Sequence, residues 1–225
     1  MSKKGFIFDL DGVIVDTAKY HFLAWKKLAN SIGVDFSEVQ NEQLKGVSRK
    51  RSLEKILAWA DTQLSEEEFN RLMALKNDDY LSHINKMDTT EILPDVTKTL
   101  DFLLEKNQAV ALGSASKNAK PILRKVGLLK KFQAIVDGND VSKAKPDPEV
   151  FLIGSQLLMV EPEHCIVFED SVAGIQAANI AGMLSIGIGS KKHLHEADFV
   201  FKDFTEMSDK FLNDIIQDKI SKKKI

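Results

Sequence analysis

Phe6-Ile7-Phe8-Asp9-Leu10-Asp11-Gly12-Val13 carries the densest signal in the chain. An apolar run meets two carboxylates spaced two apart, and a glycine then lets the chain turn. Residues two apart on a strand share a face, so at a strand end both carboxylates can reach one ligand. Asp has a reference pKa of about 3.9 and is ionised near neutral pH. It can therefore attack without a base to activate it. Its natural targets are electrophiles with good electrostatic handles, above all phosphoryl groups. Asp-Gly is also ordinary turn chemistry, so the pair alone favours a function only modestly.

Similar apolar runs recur outward along the chain, at Ala109-Val110-Ala111-Leu112, Ala134-Ile135-Val136, Ile166-Val167-Phe168 and Leu184-Ser185-Ile186-Gly187. Several are too continuously apolar for half-exposed strands, which predicts central strands of a parallel sheet covered on both faces. Helical patterns separate them. Pro94-Asp95 precedes one carrying Val96, Leu100, Leu103 and Leu104. Asp147-Pro148 opens another with proline at the first helical position, followed by Val150, Phe151, Ile153, Leu157 and Leu158. A third runs from Ser171 to Ala181 and ends at Gly182, a left-handed cap. The alternation predicts an α/β fold, a doubly wound parallel sheet of Rossmann-like plan, with ligands at the carboxyl ends of its strands.

Between Asp16 and about Met87 the alternation breaks and only helical periodicity remains. Tyr20 to Ile32 and Ser48 to Ala60 read as helices, and Ser65-Glu66-Glu67-Glu68 as a capping box opening another. This predicts an α-helical cap domain over 17–87, inserted into a catalytic core made of 1–16 and 88–225.

The 225 residues are 44% hydrophobic and 28% charged, with 31 Lys+Arg against 33 Asp+Glu. That balance gives no global drive towards nucleic acid or an anionic membrane, so a charged ligand needs a local site. No segment approaches the ~20 apolar residues of a membrane span. Met1-Ser2-Lys3-Lys4 has signal-peptide charge, but the apolar run after it is cut at Asp9 and Asp11. The single cysteine, Cys165, sits in an apolar run and reads as a buried, inert thiol. Together these features predict a cytoplasmic protein; a monomer is the expectation for its assembly, which these features do not themselves give. Lys222-Lys223-Lys224 reads as a solvated, frayed end.

Three further features join the acidic pair at predicted strand ends. Gly113-Ser114-Ala115-Ser116 puts hydroxyls past the second strand, Lys145-Pro146-Asp147-Pro148 places a lysine before a helix, and Phe168-Glu169-Asp170-Ser171 supplies a second acidic pair. Each taken singly is an ordinary cap or solvated charge. Such a carboxylate cluster would repel a dianionic phosphate unless a cation sat between them, and hard oxygen ligands suit Mg²⁺.

These residues, in this order and spacing, resemble the haloacid dehalogenase-like phosphotransferase superfamily. The likeness narrows to its β-phosphoglucomutase branch through Asp16-Thr17-Ala18-Lys19-Tyr20-His21-Phe22, Asn41-Glu42-Gln43-Leu44-Lys45-Gly46-Val47-Ser48-Arg49 and Ser114-Ala115-Ser116-Lys117-Asn118. The resemblance implies an isomerase that exchanges β-D-glucose 1-phosphate and glucose 6-phosphate through β-glucose 1,6-bisphosphate. It implies Asp9 as the nucleophile and Asp11 as the general acid/base. One Mg²⁺ per chain is then held by Asp9, Glu169, Asp170 and the main-chain oxygen of Asp11. Ser114 and Lys145 grip the transferring phosphoryl group, and Arg49, Ser116, Lys117 and Asn118 the other phosphate. Gly46 and Val47 form a cap loop that admits the sugar, and Ala115 belongs to the phosphate loop. Thr17, His21 and Lys76 connect cap closure to the placement of Asp11, while Trp25 packs.

Other readings stand beside this one. A sugar-phosphate phosphatase needs the same core, and only Thr17, His21, Arg49 and Lys76 favour the mutase. A phosphonate hydrolase would use a Schiff-base lysine, for which Lys45 or Lys76 could be proposed. A receiver-like phospho-acceptor module also needs acids, a hydroxyl and a lysine, but neither the Asp-x-Asp pair nor a helical insertion. Gly187-Ile188-Gly189-Ser190 lacks the third glycine of a dinucleotide fingerprint.

Overall fold

The fold of the chain, a computed structural model describing residues 3–222, is organised around the strand that precedes Asp9. In chain order the strands are β1 (Gly5–Phe8), β2 (Ala109–Gly113), β3 (Ala134–Val136), β4 (Cys165–Glu169), β5 (Leu184–Ile188) and β6 (Phe199–Phe201). They form one sheet of order β3-β2-β1-β4-β5-β6 in which every pairing is parallel. The order reverses direction at β1, where a doubly wound sheet opens its ligand crevice. The edge strand β6 was not anticipated. Phe-Val-Phe is three residues long and half-buried, too short and too wet for periodicity to single out. Met1, Ser2, Lys223 and Lys224, which figured in the readings of the two termini, lie outside the described residues.

The uninterrupted apolar runs have a direct cause. Phe6 and Phe8 of β1 pack on one face with Val110, Leu112, Ile166 and Phe168, while Ile7 packs on the other with Ala109, Ala111, Cys165 and Val167. Both faces are buried. The first is covered by α5 (Val96–Glu105), α6 (Ala119–Lys125) and α9 (Asp209–Ile216), the second by α7 (Glu149–Leu158) and α8 (Val172–Ile180). Phe8 stacks on Phe168 at 4.5 Å between centroids, with Phe204 beside both. Truncating so buried a ring costs about 3–5 kcal/mol. Cys165 is buried and free, and burial pushes its thiol up to about 12, so it is inert at neutral pH.

Two local expectations need correction. Pro148 stands one residue before α7 rather than in its first turn; Asp147 supplies the missing acceptor by taking the Glu149 N–H at 3.1 Å. Ser65 does cap α4 (Glu66–Ile84) by accepting the Glu68 N–H, but Glu68 does not return the bond. Its carboxylate is taken by Arg71 at 2.6 and 2.7 Å. The reciprocal box lies instead at Ser37 and Gln40, opening a five-residue helix, α2 (Glu38–Glu42).

Four α-helices, a short 3-10 turn at Thr89–Glu91 and no strand occupy the stretch between β1 and α5: the α-helices are α1 (Ala18–Ser31), α2, α3 (Arg49–Trp59) and α4. They enclose an apolar cluster of their own, with Trp25, Leu28, Phe36, Leu53, Ile56 and Leu72 at its centre. Ala24, Tyr80 and Ile84 instead join the apolar cluster that includes one face of the sheet, so the bases of α1 and α4 are continuous with the core. The two chain crossings run side by side, with Val15 bridged to Ile92 and the Asp16 N–H bonded to the Glu91 carbonyl at 2.9 Å. No helix among the described residues is long and apolar enough to cross a membrane.

Candidate active site

Strand register assembles the chemistry. Phe8 pairs with Phe168 on one side and Leu112 on the other, so Asp9 leaves the sheet beside Glu169 and Gly113. The Asp9 N–H still bonds the Phe168 carbonyl at 2.9 Å. Lys145 arrives from the loop before α7. Its buried ammonium donates to Asp9 Oδ1 at 2.6 Å, Glu169 Oε1 at 2.5 Å and the Gly113 carbonyl at 3.2 Å. The second oxygen of Glu169 accepts from the Ser171 amide and hydroxyl, both at 2.8 Å. Gly12 turns the chain at a φ of 79°, and a Cβ there would stand 2.3 Å from Asp170 Oδ2. Glycine is what lets Asp170 lie over the Asp9-to-Gly12 turn.

Burial sets the electrostatics. It pushes Asp9 up to about 7 against the pull of Lys145, with Glu169 and Asp11 adding to the rise. The sequence expectation of a freely ionised Asp9 therefore needs correction: desolvation disfavours the charged form. Burial also raises Asp170 well above the carboxylate range, helped by Glu169, and raises Asp11 despite Thr17 and Lys76. Burial lowers the Lys145 amine less than Asp9 and Glu169 raise it, so it stays charged.

Asp9, Asp11, Glu169 and Asp170 thus crowd together, with Lys145 paired to two of them and Lys45 lying 3.6 Å from Asp170. Among the described residues no group of three or more His, Cys, Asp and Glu is already gathered for a metal, and Lys145 and Ser171 take oxygens of Asp9 and Glu169. The donor chemistry fits a hard divalent cation all the same. The donors are oxygens, and a cation among them would favour the ionised carboxylates that burial disfavours.

The helical segment meets this edge from above. Thr17, just before α1, donates its hydroxyl to Asp11 Oδ1. His21, one turn on, places Nε2 3.7 Å from the same oxygen, and its Nδ1 faces Lys76 Nζ at 2.8 Å. Burial, then Lys76 and Arg49, hold His21 well below its usual range, so the ring is neutral. When Lys76 is an ammonium it can only donate to Nδ1, and in that state the ring proton sits on Nε2, facing Asp11. Lys76 lies 4.8 Å and 4.7 Å from the centroids of Trp25 and Tyr80, and burial beside Arg49 brings it down to about 7. Trp25 packs, as expected, yet it also lines the cavity.

A cavity of about 450 Å³ joins the two sides. Its lining includes Asp9, Asp11, His21, Gly46, Val47, Arg49, Lys76, Ser114, Ala115, Ser116, Lys117, Asn118, Lys145 and Asp170. Thr17 and Glu169 stand behind that wall, buried, each bonded to a lining residue. Gly46 has a φ of 68°, and a Cβ on it would come within 2.3 Å of the Ser171 hydroxyl. Glycine thereby allows the α2–α3 loop to touch the sheet edge.

Sequence reasoning missed several participants. Lys45 was weighed only as a Schiff-base amine, but Asp170 and Glu42 outweigh burial and hold it charged. Tyr80 stacks on His21 at 4.1 Å and lines the cavity. Burial and Asp11 push its phenol well above the usual range, and its hydroxyl has no hydrogen-bond partner among the described residues. The available signal was its position four residues after Lys76, one turn along the same helix face.

Comparison with known proteins identifies the chain's relatives. Residues 3–182 match the model of the haloacid dehalogenase-like hydrolases. The chain is 42% identical over 213 residues to the β-phosphoglucomutase of Bacillus subtilis, covering 94% of each. It is 32% identical over 179 residues to a phosphorylated carbohydrates phosphatase of Thermotoga maritima, covering 79% of this chain and 81% of that one. The crystal structure of β-phosphoglucomutase from Clostridium difficile superposes with a TM-score of 0.92 at 39% identity, over 97% of this chain and 99% of the other. With its sheet order, acidic strand ends and helical insertion, the chain belongs to the haloacid dehalogenase-like hydrolase family.

Proposed function

We propose that the protein is a β-phosphoglucomutase, an isomerase that interconverts β-D-glucose 1-phosphate and D-glucose 6-phosphate. The observation that carries the reading is the junction at Asp11. One carboxylate at the sheet edge touches Thr17 and faces His21, which Lys76 backs, and these groups share a cavity with Asp9, Arg49 and Asn118. A phosphatase does not need that connection; a mutase must place the same acid/base on two different sugar oxygens.

In this reading Asp9 carries the phosphoryl group as an aspartyl phosphate. Asp11 takes the proton of the sugar 6-hydroxyl as that oxygen attacks the phosphorus, and the Asp9–phosphate bond breaks to leave β-glucose 1,6-bisphosphate. The bisphosphate turns over within the cavity. Asp9 then attacks the C1 phosphate, the P–O1 bond breaks, and Asp11 returns its proton to O1. Lys145 and Ser114 neutralise and orient the transferring group, because phosphoryl transfer is mostly positioning and charge stabilisation. Arg49, Ser116, Lys117 and Asn118 hold the other phosphate. Mg²⁺ would be held by Asp9, Glu169, Asp170 and the Asp11 carbonyl, and would supply charge neutralisation at the phosphoryl group. Residues 17–87 act as the cap over a core of 1–16 and 88–225, keeping water from the acyl phosphate. The enzyme works in the cytoplasm, in keeping with its single buried thiol, and as a monomer.

Phosphorus NMR of β-glucose 1-phosphate with the protein, Mg²⁺ and a trace of bisphosphate tests the reading. Glucose 6-phosphate is the expected product. Release of inorganic phosphate alone would replace the mutase with a sugar-phosphate phosphatase.

A further inference from the structure

Asn77 stands in α4 one residue past Lys76, and its side-chain oxygen is shared by two other segments. Oδ1 accepts from Arg49 Nη2 at 2.6 Å and from Asn118 Nδ2 at 3.1 Å. Arg49 begins α3 in the helical segment; Asn118 precedes α6 at the end of the loop that follows β2. Both line the cavity, and Asn77 itself is half-buried beside it. A single amide oxygen, with two lone pairs, therefore ties the helical segment to the core.

We propose that Asn77 is a positioning residue that aims Arg49 and Asn118 at the phosphate that is not being transferred, an inference that rests on the mutase reading above. A guanidinium carries five N–H groups and a side-chain amide two. Anchoring each through one donor leaves the rest for a ligand, so the pair is held without being used up. The acceptor also has to be neutral. A carboxylate at this place would bind the guanidinium more strongly and repel an arriving phosphate, whereas an amide oxygen does neither. Asn118 is restrained at its main chain as well, with its N–H bonded to Ser116 Oγ at 3.3 Å. Because Lys76 and Asn77 are adjacent on α4, one helix places both the amine that meets His21 and the amide that gathers the phosphate donors.

The test compares wild type, Asn77→Ala, Arg49→Ala and the double variant on two substrates. One is β-glucose 1-phosphate, converted to glucose 6-phosphate with Mg²⁺ and bisphosphate present. The other is p-nitrophenyl phosphate, which has no second phosphate to hold. Asn77→Ala should raise KM for the sugar phosphate about tenfold, the scale of one well-placed hydrogen bond. It should change kcat less than threefold and leave aryl phosphate hydrolysis within twofold. In the Arg49→Ala background the Asn77→Ala penalty should shrink, because the group it orients is gone. Equal losses on both substrates, or penalties that simply multiply, would overturn the proposal, since a merely structural role behaves that way. If wild type isomerises the sugar and Asn77→Ala leaves KM unchanged, only this inference falls. If wild type yields only inorganic phosphate, the mutase reading falls and takes the inference with it.

Discussion

The sheet edge and the helical segment build their halves of the site by different physics. At the edge, neighbouring main chains do the placing: Asp9, Glu169 and Gly113 stand together because Phe8, Phe168 and Leu112 are in register. The carboxylates there are crowded and buried, burial works against their charge, and a buried lysine pairs with two of them. In the helical segment no ladder aligns the groups. Thr17 and His21 come from the start of α1, Arg49 from α3 and Lys76 from α4, and they meet only because those helices pack. The groups there are basic: Lys76 lies against the Trp25 and Tyr80 rings and His21, and Arg49 against the Asn77 amide. The lesson is a division of labour. The edge places its reactive groups by strand register, and the helical segment places its own by helix packing.

The largest effects should come from breaking the edge. Asp9→Asn should lower phosphoryl transfer by about 10⁴-fold or more on every substrate, as loss of a nucleophile does, with the far-UV circular dichroism unchanged. Mass spectrometry of trapped enzyme should find the added phosphoryl group on Asp9 in wild type and nowhere in the variant. Asp11→Asn should separate the two regions. Sugar turnover should fall by about 10²–10⁴-fold, the usual worth of a general acid/base. Phosphorylation of Asp9 by acetyl phosphate, whose leaving group needs no proton, should persist within tenfold. Equal loss in both assays would mean that Asp11 shapes the edge rather than moves a proton.

The same division explains how far the sequence could be read. A strand followed by Asp-x-Asp is a local pattern, and so are Gly113-Ser114 and Phe168-Glu169-Asp170; each names its own place in an α/β sheet. Those strands and the helix cap at Ser65 were therefore legible. β6 was not, because three half-buried residues make no period. In the helical segment, spacing showed that Thr17 and His21 share a face, but only family likeness joined them to Lys76, 55 residues away. Asn77 and Tyr80 had no signal of that strength: mid-helix, each reads as an ordinary surface or core position. Nor could the sequence show that burial would raise Asp9, since desolvation belongs to the assembled edge.

Breaking the helical half should cost less and should be substrate-selective. Lys76→Met removes the amine behind His21 while keeping a flexible chain between the Trp25 and Tyr80 rings. Mutase kcat/KM should drop by about 10–100-fold, the scale of a misplaced catalytic group. Hydrolysis of p-nitrophenyl phosphate should stay within threefold, because Asp9 and Lys145 are untouched. If the aryl phosphate suffers equally, the two halves are not separable in the way the geometry implies.

The smallest effect is on stability, and it probes the edge without any turnover. In EDTA, Asp9 keeps its proton in the folded protein up to about 7, whereas in the unfolded chain it loses it near 3.9. The folded state thus binds more protons across that interval, and linkage makes the Asp9 contribution to stability fall as pH rises through it. Asparagine cannot ionise and matches the protonated carboxyl in shape. Asp9→Asn should therefore melt with wild type near pH 4 and gain on it up to pH 8, by about 1–3 kcal/mol, or several degrees in Tm. Adding Mg²⁺ at pH 8 should close that gap by stabilising the ionised wild type more than the variant, because a divalent cation rewards the charge that burial penalises. A difference in Tm that stays flat from pH 4 to pH 8 would mean that Lys145 alone suffices to keep Asp9 ionised, and that the edge carries no excess charge for a cation to offset.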